Sequence, residues 1–177
     1  MPTIITHAVV PLALAVAAGP SRISPRLALT GAMLAMLPDA DVIGFRLGID
    51  YADSWGHRGA THSLAIAAIL TAVLAVLWRE VRRPLALTFL FLAVASHGLL
   101  DMATDGGLGV SLWWPVDEAR MFWPVTPVRV SPIGVKFFSA RGLETVWSEM
   151  LWVWLPCALL GIASLIRRQI SPPHGLS

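Results

Sequence analysis

The chain has 177 residues, of which 56% are hydrophobic and only 14% charged, with a mean hydropathy of +0.69. An ordinary soluble domain carries about 25% charged residues, so this composition excludes that class and indicates a membrane protein of one domain, residues 1 to 177. The 13 basic and 11 acidic residues leave too slight an excess to argue for nucleic acid, and the single Cys157 excludes an intrachain disulfide and a thiolate metal site alike.

Five apolar segments follow in chain order. The first runs roughly from Thr3 to Ala18 and ends at Gly19-Pro20. The second, Leu27 to about Phe45, is interrupted by Pro38-Asp39-Ala40-Asp41. The third covers His62 to Trp78, the fourth Leu85 to about Thr104, and the fifth Val146 to Ile166. A helix crosses a bilayer with ~20 residues, in a range of ~17 to 25. The third to fifth segments meet that length; the first two are short or broken, and are expected to be tilted, half-buried or re-entrant. Helices are expected rather than strands, because lipid leaves an open sheet edge unsatisfied and the runs do not alternate. Residues 106 to 145 read as one long polar-aromatic loop, with Pro115, Pro124, Pro127 and Pro132 breaking any regular element. The expected fold is therefore an all-α integral membrane bundle of about five apolar helices with that loop outside. The N-terminus has no basic leader or small-residue cleavage site, so no removable signal peptide is expected.

Charge sets the orientation. If the segments alternate across the bilayer, the turns at Ser21–Arg26 and Arg79–Arg83 and the tail from Arg167 share one side. They hold Arg22, Arg26, Arg79, Arg82, Arg83, Arg167 and Arg168, seven of the 13 basic residues, in very short stretches. Short arginine-rich loops mark the cytoplasmic face. The N-terminus is thus expected outside and the C-terminus inside, in a bacterial inner membrane, with the polar motifs at the outer (periplasmic) end.

Those motifs carry the chemistry. Gly56-His57-Arg58-Gly59-Ala60-Thr61-His62-Ser63 places two imidazoles and a guanidinium at the mouth of the third segment, and ionisable groups beside hydrocarbon mark functional sites by default. His97 lies 12 residues beyond Leu85, ~18 Å along a helix, and Asp101 one turn further at ~24 Å. Their i, i+4 spacing puts imidazole and carboxylate on one face, either as two ligands of one metal or as ligand and orienting partner. With His7, Asp39, Asp41, His57 and His62 they make seven candidate ligands. A catalytic zinc takes three protein ligands and a water, so seven imply two or more ions, or one ion with a rich surround. Metal binding in small zinc peptides contributes ~10–16 kcal/mol, enough to offset several buried carboxylates. Read singly, each residue has a plainer role: His7 an interfacial helix end, Asp39 and Asp41 helix caps, His57 a loop residue, Arg58 an interfacial snorkeller, and His97 with Asp101 a structural pair. Their convergence on one face favours the metal.

Leu37-Pro38-Asp39-Ala40-Asp41, the Gly56–Ser63 octapeptide and Ser96-His97-Gly98-Leu99-Leu100-Asp101 resemble, in order and spacing, the motifs of the YdjM-like family of bacterial membrane-bound metal-dependent hydrolases. His7 after Thr6 and Leu112-Trp113-Trp114-Pro115 fit the same pattern, so the resemblance covers roughly residues 5 to 135. One departure is Val42, where many relatives carry a histidine. The family is considered distantly similar to zinc-dependent phospholipase C and P1-type nucleases, which act on phosphoesters. The resemblance implies that His7, Asp39, Asp41, His57, His62, His97 and Asp101 are ligands or near-ligands.

The expected mechanism uses two or three zinc ions, or another divalent metal, to activate a water. Asp41, ahead of Asp39, is the expected proton acceptor or bridge, and Arg58 the phosphate clamp. Thr61 and Ser63 would cap the third helix or touch the phosphate, and Glu149 is a further candidate ligand or base, or a plain interfacial glutamate. Trp113, Trp114, Phe122 and Trp123, with Arg120 and Arg129, form an aromatic and basic loop surface suited to the headgroup level, as a simple anchor or to admit a lipid or lipid-linked phosphate substrate. Two rivals use the same residues: a metal or proton transporter, whose site belongs nearer the midplane between repeats, and a scaffold with a structural metal.

Overall fold

Helix α1 (Ile4–Ala18) and helix α2 (Pro25–Met36) form a hairpin whose turn is set by Gly19, at a positive φ of 89°. The Ser24 hydroxyl accepts from the Leu27 amide at 3.2 Å and Pro25 opens the helix, a matched start for α2. The computed structural model describes residues 1–132 and 134–170. Helix α2 does not break at Pro38. It tightens into a 3₁₀ helix, Leu37–Leu47, and stops at Gly48 in the left-handed conformation. The expected interruption is therefore a change of helical pitch, and Pro25–Leu47 is a continuous run of 23 residues.

The third segment departs the other way. Helix α3 (Leu64–Leu77) has 14 residues, ~21 Å of rise, less than a full crossing. Ser63 caps it by accepting from the Ile66 amide at 3.2 Å, which leaves His62 outside in a 3₁₀ turn. At the far end the Arg82 guanidinium donates to the carbonyls of Ala75 and Val76, satisfying acceptors that a helix C-terminus leaves open. Helix α4 (Pro84–Met102) has 19 residues and is the most enclosed element.

The expected loop of residues 106 to 145 is only partly a loop. After Pro132 no proline remains to block helix formation, and helix α5 (Ala140–Glu149) begins inside the predicted stretch, preceded by a short 3₁₀ turn, Gly134–Phe137. A π-helical turn, Met150–Trp154, joins α5 to helix α6 (Leu155–Ile170), giving one helical run of 31 residues. The wide turn sits just before Pro156, whose ring would crowd the carbonyl four residues back in a regular helix. Pro25–Leu47, Pro84–Met102 and Ala140–Ile170 are each long and apolar enough to cross a membrane.

Helix α1 packs on α2, α4 and α6, and α3 packs on α4. Ile23, Leu27, Val81, Ala86, Phe89 and Leu90 fill one end of the bundle, beside the arginine-rich turns. Gly31 of α2 lies against the Phe89 ring with no room for a Cβ, the close helix approach that small residues allow. At the opposite end Met102, Val110 and Leu112 seat the outer loop on α4. Among the described residues the strand-like pairings are the single bridges Val110–Met121 and Thr104–Val128. The helical bundle expected from sequence is the fold observed.

Candidate metal centre

Four elements converge at the loop-covered end. Helix α1 brings His7, the 3₁₀ helix after α2 brings Asp39 and Asp41, the turn before α3 brings His57, Arg58 and His62, and α4 brings His97 and Asp101. His7, His97, Arg58 and Asp101 have no exposed surface, and Asp39, His57 and His62 are 3–4% exposed. All seven sequence-predicted ligands thus reach one region, but they divide into two groups.

The inner group is Asp39, His62, His97 and Asp101, whose donor atoms all lie within 4.8 Å of one another. His62 Nε2 stands 3.3 Å from Asp101 and 3.8 Å from Asp39; His97 Nε2 stands 3.4 Å from Asp39 and 4.0 Å from Asp101. His7 flanks the group, its Nε2 3.7 Å from Asp39 and 3.6 Å from Asp101, with its ring stacked on His97 at 3.7 Å. These separations exceed the ~2.7–3.2 Å of a hydrogen bond. They approach the ~3.3–3.4 Å between donors that each lie ~2.0–2.1 Å from a shared tetrahedral ion. None of the facing atoms, His7 Nε2, His62 Nε2, His97 Nε2 and both oxygens of Asp39 and Asp101, has a hydrogen-bond partner. Buried polar atoms are almost always paired.

The tautomers explain the pattern. His97 Nδ1 lies 2.7 Å from the Ala35 carbonyl, which can only accept, so Nδ1 carries the proton in a neutral ring and Nε2 turns a lone pair toward the carboxylates. Lone pair facing carboxylate is repulsive without a cation between them. An orienting bond on the second nitrogen is the usual support of a metal-ligating histidine. The residues present fit a divalent cation, and imidazole with carboxylate suits zinc among others.

The outer group, Asp41, His57 and His62, also has donor atoms within 4.8 Å of one another, but it is hydrogen-bonded. Asp41 Oδ1 meets His57 Nδ1 at 2.6 Å, and Oδ2 accepts from Thr61 Oγ1 at 2.7 Å and from the Arg58 amide at 3.3 Å. His62 Nδ1 lies 3.3 Å from the same carboxylate. Asp41 therefore backs His62 from behind while His62 Nε2 faces the inner group. At three residues per turn Asp39 and Asp41 point ~120° apart, and they meet different nitrogens of His62.

Arg58 is the sole non-glycine residue at positive φ, 66°, among the described residues. Its guanidinium donates to the Gly106 carbonyl at 2.7 Å and Thr104 Oγ1 at 2.8 Å, and its Nε lies 3.2 Å from Asp101, an ion pair without hydrogen-bond alignment. It thus faces Asp101 from within. Gly98 brings α4 so close to the His62 carbonyl that a Cβ there would collide with it.

Glu149 does not join the centre. Fully buried, it accepts from the Thr3 amide, from Thr3 Oγ1 at 2.6 Å and from Thr6 Oγ1 at 2.6 Å, closing the open amide end of α1. Neither sequence expectation, ligand or interfacial glutamate, described this. Trp154 adds a donor to Thr6 at 2.8 Å. The loop arginines likewise bind protein: Arg120 donates to the carbonyls of His57, Tyr51 and Asp53, and Arg129 pairs with Asp105 at 2.7 Å. Burial raises the Asp105 carboxyl, but the Val130 amide and the Arg129 guanidinium outweigh it and hold the group below the usual range. Trp113, Phe122 and Trp123 remain exposed, whereas Trp114 packs against Trp55. Sequence reasoning missed Thr104, Tyr51 and the Ala35 carbonyl, for which no local pattern exists.

The family model described as YdjM inner membrane protein matches residues 1–171. Inner membrane protein YbcI of Escherichia coli (strain K12) is 43% identical over 164 residues, covering 90% of this chain and 95% of that protein. No solved structure matches. With its motifs gathered on one helical bundle, the chain belongs to the YdjM family of inner membrane proteins.

Proposed function

We propose that this protein is a multi-pass inner-membrane hydrolase that uses a divalent cation, zinc by preference, to cleave a phosphoester bond in a lipid or lipid-linked substrate at the periplasmic side. The observation that carries the reading is the inner group: imidazole and carboxylate atoms, buried and unpaired, spaced as ligands of a common ion. The gathering of the arginine-rich turns at the other end supports the orientation.

Asp39, His62, His97 and Asp101 would hold the ion, with His7 beside them. A bound divalent cation supplies a Lewis acid and a water whose pKa falls toward ~7. Asp41, engaged with His57, Thr61 and His62, acts as the group that fixes His62 rather than as the base. Asp39 borders an open cavity, so the ion it would help to hold lies next to that cavity. Arg58 holds Asp101 in position, and its burial argues against a direct phosphate clamp. The inner group holds donors for one ion; Asp41, His57 and His62 would be the residues to hold a second.

A structural metal is the second reading, because four mutually close donors can close a tetrahedral shell. Metal analysis of purified protein, with hydrolysis of a generic phosphodiester and of phospholipid vesicles with and without chelator, separates them. The proposal expects about one zinc per chain, as its donor count implies, and chelator-sensitive release of phosphate or a phosphorylated head. Zinc-saturated protein that hydrolyses neither substrate would leave the structural reading. Metal flux into liposomes without hydrolysis would favour transport.

A further inference from the structure

One cavity reaches the centre from the side. It measures about 420 Å³, and Ile5, Val42, Phe137, Val146 and Trp154 help to line it, with Asp39 in its wall. The volume falls within the ~300–1,000 Å³ of small-molecule sites, yet no lysine or arginine lines it. Ile4 and Ile5, 44% and 63% exposed, lie at its edge, so the mouth lies on an apolar, lipid-compatible face.

We propose that this cavity receives one alkyl chain of an anionic amphiphile whose head is delivered to the centre past Asp39. The proposal rests on the hydrolase reading for the chemistry of the head, but the chain site stands on its own walls. A peptide is a poor occupant, because its backbone amides and carbonyls would find almost no partners there. A free phosphate is equally unsuited, since nothing in the wall offsets its charge. An alkyl chain loses nothing polar on entry and gains apolar burial. Asp39 is the junction: the residue lines the cavity, and its buried, unpaired carboxylate belongs to the inner group behind that wall.

The test uses the full chain in nanodiscs with dodecyl phosphate and dodecanol, each carrying a diazirine at the chain end, photolysed and mapped by peptide mass spectrometry. Labelling is expected at Phe137, Val146 and Trp154 with both compounds. Val146→Trp fills the cavity and is expected to cut that labelling about tenfold, equivalent to losing roughly two buried methylenes. Leu159→Trp, on the exposed face of α6, is expected to leave it unchanged. Zinc content matching the parent shows that each variant is folded, and Ile5→Trp replaces any that is not. Added zinc is expected to raise labelling by dodecyl phosphate but not by dodecanol. Labelling spread over Leu151, Leu159 and Ile162, or unaffected by both cavity-filling variants, overturns the chain site. Cavity labelling that ignores zinc keeps the chain site and instead removes the hydrolase reading of the head.

Discussion

Glu149 and Asp101 are both fully buried carboxylates at the same end of the bundle, and the fold surrounds them in opposite ways. Glu149 receives three hydrogen bonds from Thr3 and Thr6. Asp101 receives none; its oxygens face the Nε2 atoms of three histidines and the misaligned Nε of Arg58. A buried carboxylate is stabilised by protons pointed at it. Glu149 has them, so it is a structural clasp between α1 and α5. Asp101 instead meets the misaligned Arg58 guanidinium and His97 Nε2, whose lone pair repels a carboxylate unless a cation lies between them. Burial alone therefore does not distinguish the two carboxylates; hydrogen-bond satisfaction does.

The strongest way to break this contrast is Asp101→Asn. Removing a ligand is expected to lower zinc affinity more than ~100-fold, beyond the ~10–100-fold typical of supporting residues, as read by metal analysis after dialysis against buffered zinc. Retained zinc at wild-type affinity would move the centre elsewhere. Asp41→Asn comes next: it removes the group behind His62 without removing a ligand, so affinity is expected to fall ~10–100-fold while saturating stoichiometry stays the same. Loss of one whole ion from that variant would instead place a second metal in the outer group. Glu149→Gln sharpens the other side. It keeps the shape but weakens the clasp, with an expected cost of about 1–3 kcal/mol in thermal unfolding in detergent and no change in zinc affinity of the folded protein.

These contrasts show what the sequence could and could not carry. The His97/Asp101 pair was legible because i, i+4 spacing has one meaning on a helix, and the arginine-rich turns were legible because charge density needs no tertiary knowledge. The division of labour between Asp39 and Asp41 was not, because it depends on distant partners, His57 and Thr61 for Asp41 and His97 for Asp39, which spacing does not report. Glu149 was misjudged because its partners Thr3 and Thr6 lie more than 140 positions away. Arg58 reads as an interfacial snorkeller or a phosphate clamp because its left-handed backbone leaves no trace in a hydropathy profile. The long loop was overextended for a local reason: Val146 opened the apolar run, but the polar-faced α5 before it buries Gly142, Thr145 and Ser148 rather than apolar residues.

The smallest effect compares two caps. Ser24 and Ser63 each accept one amide hydrogen bond at 3.2 Å, at the starts of α2 and α3. Ser24→Ala and Ser63→Ala are each expected to cost about 1 kcal/mol in stability. Their effects on the centre should differ. Ser63 directly follows His62, and its cap fixes where the 3₁₀ turn ends and α3 begins, hence the aim of the His62 ring. Ser24 sits at the arginine-rich end, beside Ile23 and Leu27 of the distant core. Zinc affinity is therefore expected to fall a few-fold in Ser63→Ala and to stay unchanged in Ser24→Ala at matched folded fraction. Equal losses in both would mean that the centre follows the stability of the whole bundle, and the local aim of His62 would cease to be what sets its grip.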